Sequence, residues 1–222
     1  MRAASEKRGI KGKGAIEMSE QKTKVDMTLI QKLRECSGAG VLECQKALVE
    51  TTGDIDKALQ ILREKGMTQS LKKGGREAKN GVISSYIHSG NRIGVLVEVN
   101  CETDFVARTD EFKNFVKEIG LQIAAAAPLW VRKEDVSKEI IERERDIYKK
   151  QSLQEGKPEK MVDKIVEGRL QKFYTQVCLL EQPYIRDPQG KEKVQDIMNS
   201  VIAKTGENLV IRRFARYQLG EE

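Results

Sequence analysis

The stretch from Asn100 to Arg108 places two carboxylates next to an aromatic ring at the end of a predicted strand. Glu102 and Asp104 are two residues apart. Acid–base catalysis by a carboxylate pair needs the two groups in different environments facing one substrate, which neighbours on a turn rarely achieve. The pattern leaves two interpretations of Asp104 open: it is the N-cap of the helix that follows, or it contacts a partner.

Phe105 stands between Asp104 and Val106, at a place where chains usually turn and expose their residues. Loops that are held on rigid scaffolds tend to carry function. The pattern again leaves two possibilities open. Either the ring folds back into the core, or it is presented to a partner.

The other side chains that could do chemistry are scattered. Cys36, Cys44, Cys101 and Cys178 form no Cys-x-x-Cys pair, and the single histidine is His88. Metal-ligand spacing of the zinc type is therefore absent, and we expect no metal site. Scattered thiols are typical of a protein in the reducing environment of the cytoplasm.

Gly38-Ala39-Gly40 matches half of a dinucleotide-binding fingerprint. It follows a predicted helix rather than a strand and lacks the third glycine, so we interpret it as a helix-breaking turn. No Gly-Lys-Ser/Thr phosphate loop occurs. We therefore expect no bound nucleotide or other cofactor, and no enzyme that performs covalent chemistry.

The formal net charge of +6 is concentrated at the N-terminus. Residues 1–24 carry +4 of it, from seven basic and three acidic side chains, and the remaining 198 residues carry +2. We predict that residues 1–24 are a disordered basic tail. The alternative hypothesis for function is a nucleic-acid-binding module that uses this tail and the cluster from Arg212 to Arg216. No apolar run approaches the roughly 20 residues that span a bilayer.

The segments that position these residues fall into two groups. Residues 25–66 predict a module of three short helices, the last capped by Asp54 and ending at Gly66. Residues 67–80 are basic, glycine-containing and poor in apolar side chains, so we predict a linker. Residues 81–222 predict a core domain.

Within the core domain, Gly81–His88 and Arg92–Asn100 predict a β-hairpin, and Leu209–Tyr217 predicts a third, antiparallel strand. The intervening residues have helical periodicity, in segments 110–127, 134–152, 158–177 and 191–204. Helices packed against one side of a small antiparallel sheet make an α+β fold.

Two blocks together resemble the bacterial elongation factor Ts family. The first runs from Ile30 to Leu48 and continues into Gly53-Asp54-Ile55, and the second runs from Asn100 to Arg108. Their order and separation also match the family. The resemblance covers roughly residues 27–222.

The resemblance implies a translation factor that acts as a guanine nucleotide exchange factor for elongation factor Tu, in its GDP-bound and nucleotide-free states. It implies an α+β fold with an N-terminal ubiquitin-associated-like module of three helices, followed by a core of a small antiparallel sheet and helices. The chain length is similar to that of the short form of the family. Because the core unit occurs once, we expect a homodimer formed by residues 81–222. We expect neither a membrane nor a nucleic acid as a direct partner.

The resemblance also assigns roles to residues of the second block. Thr103, Asp104, Phe105 and Val106 would enter the nucleotide-binding domain of the partner near its magnesium site, and Arg108 is expected to contact the partner as well. Phe105 would wedge between two partner helices. Asp104 would lie near the water network of the magnesium ion.

In the module, Arg34, Val41 and Leu42 match the residues that dock on another partner helix in the family. Val41 and Leu42 replace a frequent methionine pair. Glu43 and Gln45 stand where aspartate and lysine are commoner. These differences keep side-chain size and polarity, so the expected docking surface is retained.

Overall fold

The computed structural model describes residues 26–37 and 39–221. The predicted tail, residues 1–24, and Gly38 lie outside the described residues. Eight α-helices and three β-strands occur in the described part of the chain, in the order α1 (Met27–Ser37), α2 (Val41–Glu50), α3 (Ile55–Lys73), β1 (Asn80–Ile87), β2 (Ile93–Cys101), α4 (Asp104–Arg108), α5 (Asp110–Ala126), α6 (Lys138–Gln154), α7 (Glu159–Val177), α8 (Val194–Thr205) and β3 (Leu209–Gln218).

The first three helices pack around a small core of their own. Asp54 caps α3 as predicted, since its carboxylate accepts the Lys57 backbone N–H at 3.1 Å. The predicted apolar stripes supply the buried side chains, which are Ile30, Leu33, Cys44, Ala47, Leu48 and Ala58. A core of this size gives limited stability, so contacts with the rest of the chain matter.

The prediction that α3 ends at Gly66 is wrong, because the helix continues to Lys73. A glycine inside a helix costs only about 1 kcal/mol relative to alanine. Packing of α3 against α8 offsets that cost. The Lys73 ammonium also donates to the Ile202 carbonyl at 3.5 Å. The helix therefore covers the first half of the stretch that we predicted to be a linker.

The three strands form one antiparallel sheet in the order β1-β2-β3. The α+β prediction is confirmed, including the pairing of β3 with the hairpin. The inward-facing side chains of β2 are buried against α5, and Gly120 lets the helix approach closely. A Cβ at Gly120 would lie 2.9 Å from Tyr86 Cβ, closer than two carbon atoms can pack.

The opposite face of the sheet carries exposed apolar side chains. Ile83, Leu96 and Tyr217 come from β1, β2 and β3 respectively. Glu98 and Arg213 face each other across β2 and β3 and form an ion pair at 2.7 Å. The sheet thus has one face in the core and one face at the surface of the chain.

The helices α6 and α7 form an antiparallel hairpin with a separate small core, centred on Val162, Val166 and Leu170. None of the helices in the described part of the chain combines the length and the apolar character that a membrane span requires.

Candidate functional site

Phe105 lies on α4, the five-residue helix between β2 and α5. The residue is 77% exposed, so the interpretation that the ring folds back into the core is wrong. Val106 and Ala107 on the other side of the helix are buried in the core. The helix is therefore anchored on one side and presents Asp104, Phe105 and Arg108 on the other.

The interpretation of Asp104 as an N-cap is also wrong. Thr103 caps α4, because its hydroxyl oxygen accepts the Val106 backbone N–H at 3.4 Å. Thr109 caps α5 in the same way, accepting the Phe112 backbone N–H at 3.3 Å. The sequence pattern concealed the Thr103 cap, because a helix as short as α4 has no periodicity of its own.

The Asp104 carboxylate belongs instead to the exposed side of α4. Its Oδ2 lies 2.6 Å from Arg108 Nη2, four residues later. Both side chains are more than half exposed. A surface pair at this spacing contributes only about 0.3–0.5 kcal/mol to stability, so its main consequence is to cover the carboxylate with a guanidinium.

Glu102 is directed away from Asp104. Its carboxylate accepts the Asn208 backbone N–H at 2.7 Å and lies 3.6 Å from the Arg76 guanidinium. The two carboxylates therefore do not face one substrate. This arrangement agrees with the view that neighbours on a turn do not form an acid–base pair.

Glu207 is a residue of the site that the sequence pattern did not reveal. Both of its carboxylate oxygens accept hydrogen bonds from Thr103, one from the backbone N–H at 3.0 Å and one from the hydroxyl at 2.6 Å. The two residues are 104 positions apart. No local pattern reports such a contact, because it depends on how α8 and β3 pack beside β2.

A groove of about 960 Å³ separates the three-helix module from α4. On the module side it is lined by Met27, Ile30, Gln31, Arg34, Glu35 and Val41, and on the core side by Val106, Thr109, Glu111, Lys204 and Thr205. The structure therefore brings Arg34 and Val41 next to the base of α4. Leu42 is 69% exposed but does not belong to the described residues that line the groove.

A second cleft, of about 730 Å³, lies between the module and the helices α5 and α8. Arg63 of α3 and Glu192 form an ion pair across it. At its edge, Glu118 accepts hydrogen bonds from Arg186 Nε at 2.9 Å and from the Tyr184 hydroxyl at 3.1 Å. The Arg186 hydrogen bond lowers the pKa of Glu118, while burial raises the pKa of Tyr184 to about 12.

The thiols are placed as structural groups. Cys44, Cys101 and Cys178 are buried, and Cys36 is exposed. Burial raises the pKa of Cys101 and raises that of Cys178 to about 11, so both stay protonated near neutral pH. Within residues 26–37 and 39–221, no group of three or more His, Cys, Asp or Glu side chains is placed to hold a metal ion.

His88 and the C-terminal arginines are engaged in local contacts. The Nδ1 atom of His88 lies 3.2 Å from the Tyr86 hydroxyl. Arg213 pairs with Glu98, and Arg216 pairs with Glu221 at 2.9 Å. Two of the three guanidinium groups in the basic cluster therefore already face a carboxylate, which weakens the cluster as a phosphate-binding surface.

Comparison with known proteins points to one family. The family model described as "Elongation factor TS" matches residues 16–191. The chain is 60% identical over 192 residues to "Elongation factor Ts" of Thermoanaerobacter sp. (strain X514), which covers 86% of this chain and 93% of that protein. It is 56% identical over 198 residues to "Elongation factor Ts" of Thermotoga neapolitana, which covers 89% of this chain and 98% of that protein.

Proposed function

This chain belongs to the elongation factor Ts family of translation elongation factors, and on that premise we propose that it accelerates GDP release from elongation factor Tu in the cytoplasm by inserting α4 near the partner's magnesium site. The observation that carries this proposal is the 77% exposure of Phe105 on a helix whose other side is anchored in the core. A partner can contact this exposed aromatic ring without any unfolding of α4 or of the core.

The proposed mechanism requires no covalent chemistry. GDP and Mg²⁺ hold each other in place in the partner largely through electrostatic interactions. An apolar wedge that displaces the elements carrying the magnesium waters lowers the affinity for both. By linkage, the nucleotide weakens binding of the factor as much as the factor weakens binding of the nucleotide. Incoming GTP therefore expels the factor, which binds both the GDP-bound and the nucleotide-free partner.

Each residue of α4 has a distinct part in this proposal. Phe105 would insert between two partner helices, and burial of its ring would contribute about 2 kcal/mol. Asp104 would lie near the magnesium waters, with Arg108 beside it. Val106 is buried, so its part is to anchor α4 in the core. Thr103 caps the helix and fixes where it begins.

The module supplies the second contact of the proposal. We propose that residues 25–66 and the core domain, residues 81–222, engage one partner together, with Arg34, Val41 and Leu42 docking on a partner helix. The exposure of Val41 and the groove that it shares with Val106 support this arrangement. Once one of the two surfaces is bound, the other is held close to its own site on the partner. Its effective concentration there is raised, which strengthens binding overall.

The core domain also carries the proposed homodimer surface. The support is the exposed apolar face of the sheet, with Ile83, Ile87, Leu96 and Tyr217. Faces of this kind are uncommon on monomers and mark interaction sites. Sedimentation equilibrium of the full chain should give twice the chain mass of 25.1 kDa. A single chain mass that persists at high protein concentration would rule the dimer out.

Release of labelled GDP from elongation factor Tu tests the proposed function directly. The partner is loaded with fluorescent GDP, mixed with excess unlabelled GDP, and followed with increasing amounts of the chain. The release rate should rise and then saturate, because the factor acts through a complex. Release at the spontaneous rate at every concentration contradicts the proposal.

A further inference from the structure

Two carboxylates from distant parts of the chain hold the start of α4 in a reciprocal arrangement. Glu207 accepts the backbone N–H of Thr103, and Glu102 accepts the backbone N–H of Asn208. Each carboxylate thus holds the amide of the residue that follows the other. We name this arrangement, made of Glu102, Thr103, Glu207 and Asn208, the carboxylate clasp.

The loop that carries Glu207 is itself fixed. Gly206 ends α8 with a left-handed φ of 78°, a conformation that favours glycine. Asn208 is buried, and its side-chain amide donates to the Arg76 carbonyl at 2.8 Å. The Glu207 carboxylate is therefore presented from a rigid position between α8 and β3.

Glu207 also sets the orientation of the Thr103 hydroxyl. An ionised carboxylate only accepts hydrogen bonds, so the hydroxyl must donate its proton to Glu207 at 2.6 Å. A lone pair of the same hydroxyl then remains to accept the Val106 backbone N–H, which is the N-cap contact of α4. The clasp and the cap are therefore a continuous chain of hydrogen bonds from Glu207 to α4.

A helix of five residues does not form by itself in water, since the first turn is unfavourable and few later bonds follow it. The burial of Val106 and Ala107 holds one side of α4. The direction in which Phe105 points depends in addition on where the helix starts, and Thr103 determines that start. Loss of the clasp should leave the ring in several orientations, which binding must then order.

We propose that Glu207 is a positioning residue for nucleotide exchange, acting through Thr103 and α4 on the orientation of Phe105. This inference rests on the proposed function and goes beyond the residues of the two sequence blocks. Glu207 is half-buried and engaged by Thr103. Its contribution is to hold Phe105 ready for insertion.

A double-mutant cycle between Glu207→Ala and Phe105→Ala tests this proposal. Glu207→Ala alone should lower the efficiency of GDP release, kcat/KM, about 10-fold, which corresponds to about 1.4 kcal/mol. In the Phe105→Ala background the same change should lower it less than about 2-fold, because the ring that Glu207 orients is gone. An equal loss in both backgrounds would show that Glu207 acts elsewhere and overturns the proposal.

Substitutions of Thr103 provide the test that does not depend on whether Glu207→Ala folds. Thr103→Val keeps the shape and the backbone donor but removes the hydroxyl, and should lower kcat/KM to a similar degree. Thr103→Ser keeps the hydroxyl and should therefore retain the wild-type kcat/KM. Glu181→Gln, which removes another half-buried carboxylate that pairs with Lys133 and Lys193, is the matched control and should leave the rate unchanged. Wild-type rates for Thr103→Val overturn the proposal.

Fluorine NMR separates a failure of this inference from a failure of the proposed function. The five phenylalanines are replaced by fluorophenylalanine, and the Phe105 resonance is assigned by its loss in Phe105→Ala. In Glu207→Ala the line width of the resonance should change, because the exposed ring then samples several orientations. An unchanged line width overturns the positioning role even if the chain accelerates GDP release. A wild-type chain that does not accelerate GDP release overturns the proposed function and the role of Glu207 in exchange with it.

Discussion

Arg108 Nη2 lies 2.6 Å from Asp104 Oδ2, one helical turn away on the exposed side of α4. Phe105 stands beside this pair and is exposed with it. The presented surface of α4 is therefore an aromatic ring next to a carboxylate that is already neutralised by a guanidinium. A partner therefore meets this carboxylate together with a guanidinium rather than as an isolated charge.

Removal of the guanidinium should affect exchange more than stability. We expect Arg108→Ala to change the free energy of unfolding by no more than about 0.5 kcal/mol, because exposed ion pairs contribute little. We expect it to lower the rate of GDP release several-fold, since the surface that α4 presents to the partner loses its guanidinium. Arg145→Ala, which removes an exposed partner of Glu167 on the α6–α7 hairpin, is the control and should leave the rate unchanged. Equal rates for the two variants would remove Arg108 from the site.

Phe105 and Phe112 offer a comparison between an exposed and a buried ring of the same residue type. Phe105→Ala should leave the free energy of unfolding within about 0.5 kcal/mol of the wild type and lower the rate of GDP release about 30-fold, the equivalent of about 2 kcal/mol. Phe112→Ala removes a ring that is 0% exposed and should destabilise the fold by about 3–5 kcal/mol. Urea denaturation and GDP release measured on both variants check this, and comparable destabilisation by Phe105→Ala would contradict it.

Helix α2 carries two valines of similar exposure, Val41 at 45% and Val49 at 41%. Only Val41 belongs to the described lining of the groove beside α4. We expect Val41→Ala to raise the chain concentration that gives half-maximal GDP release about 3- to 10-fold. The reason is that the contact with the partner loses the burial of at most about two CH₂ groups. Val49→Ala should leave that concentration unchanged. An equal effect of the two substitutions would argue against docking of a partner helix at the groove.

The sequence pattern located most elements because their periodicity is local. The strands Gly81–His88, Arg92–Asn100 and Leu209–Tyr217 and the helix of residues 110–127 agree with the observed elements to within a few residues. The end of α3 was missed because packing against α8 overrides the preference of Gly66 to end a helix. Tertiary contacts of this kind leave no signature in a local window of sequence.

The candidate site divides in the same way. Phe105 could be singled out because an aromatic residue in a predicted turn is unusual, but its exposure follows from the burial of Val106 and Ala107 on the other side of α4. Glu207 could not be singled out, since its contact with Thr103 joins residues 104 positions apart. The residues that anchor α4 are thus neighbours of Phe105 in the sequence, while the residue proposed to fix the direction of the ring is distant in the sequence.

Three glycines inside helices give a test of the packing. Apart from the adjacent residues and the helix's own backbone, no atom lies within 4 Å of a Cβ added at Gly66 in α3 or at Gly168 in α7, whereas at Gly120 it would lie 2.9 Å from Tyr86 Cβ. Gly66→Ala and Gly168→Ala should therefore each stabilise the fold by about 0.5–1 kcal/mol. Gly120→Ala should destabilise it by about 1–3 kcal/mol, because α5 must move away from the sheet. Chemical denaturation of the three variants measures the sign of the change in the free energy of unfolding. Destabilisation by Gly66→Ala would contradict the open space beside Gly66.

The contact between Glu118 and Arg186 makes stability depend on pH. The Arg186 hydrogen bond lowers the pKa of Glu118 below its ordinary value of 4.5. A carboxyl group with a lower pKa in the folded state stabilises the fold above its unfolded pKa, and this contribution is lost as the pH falls through the folded pKa. Glu118→Gln should therefore lower the free energy of unfolding by up to about 1 kcal/mol near neutral pH, since the partly exposed pair is screened by solvent.

The difference between the wild type and Glu118→Gln should shrink as the pH falls below 4.5, because protonation gives the wild-type side chain the same charge as glutamine. Urea denaturation of both proteins across the acid range measures this difference. Arg186→Met removes the main cause of the lowered pKa, so in that background Glu118→Gln should have little pH-dependent effect. A difference in stability that is constant with pH would mean that the ionised form of Glu118 contributes nothing, and that the residue acts through packing alone.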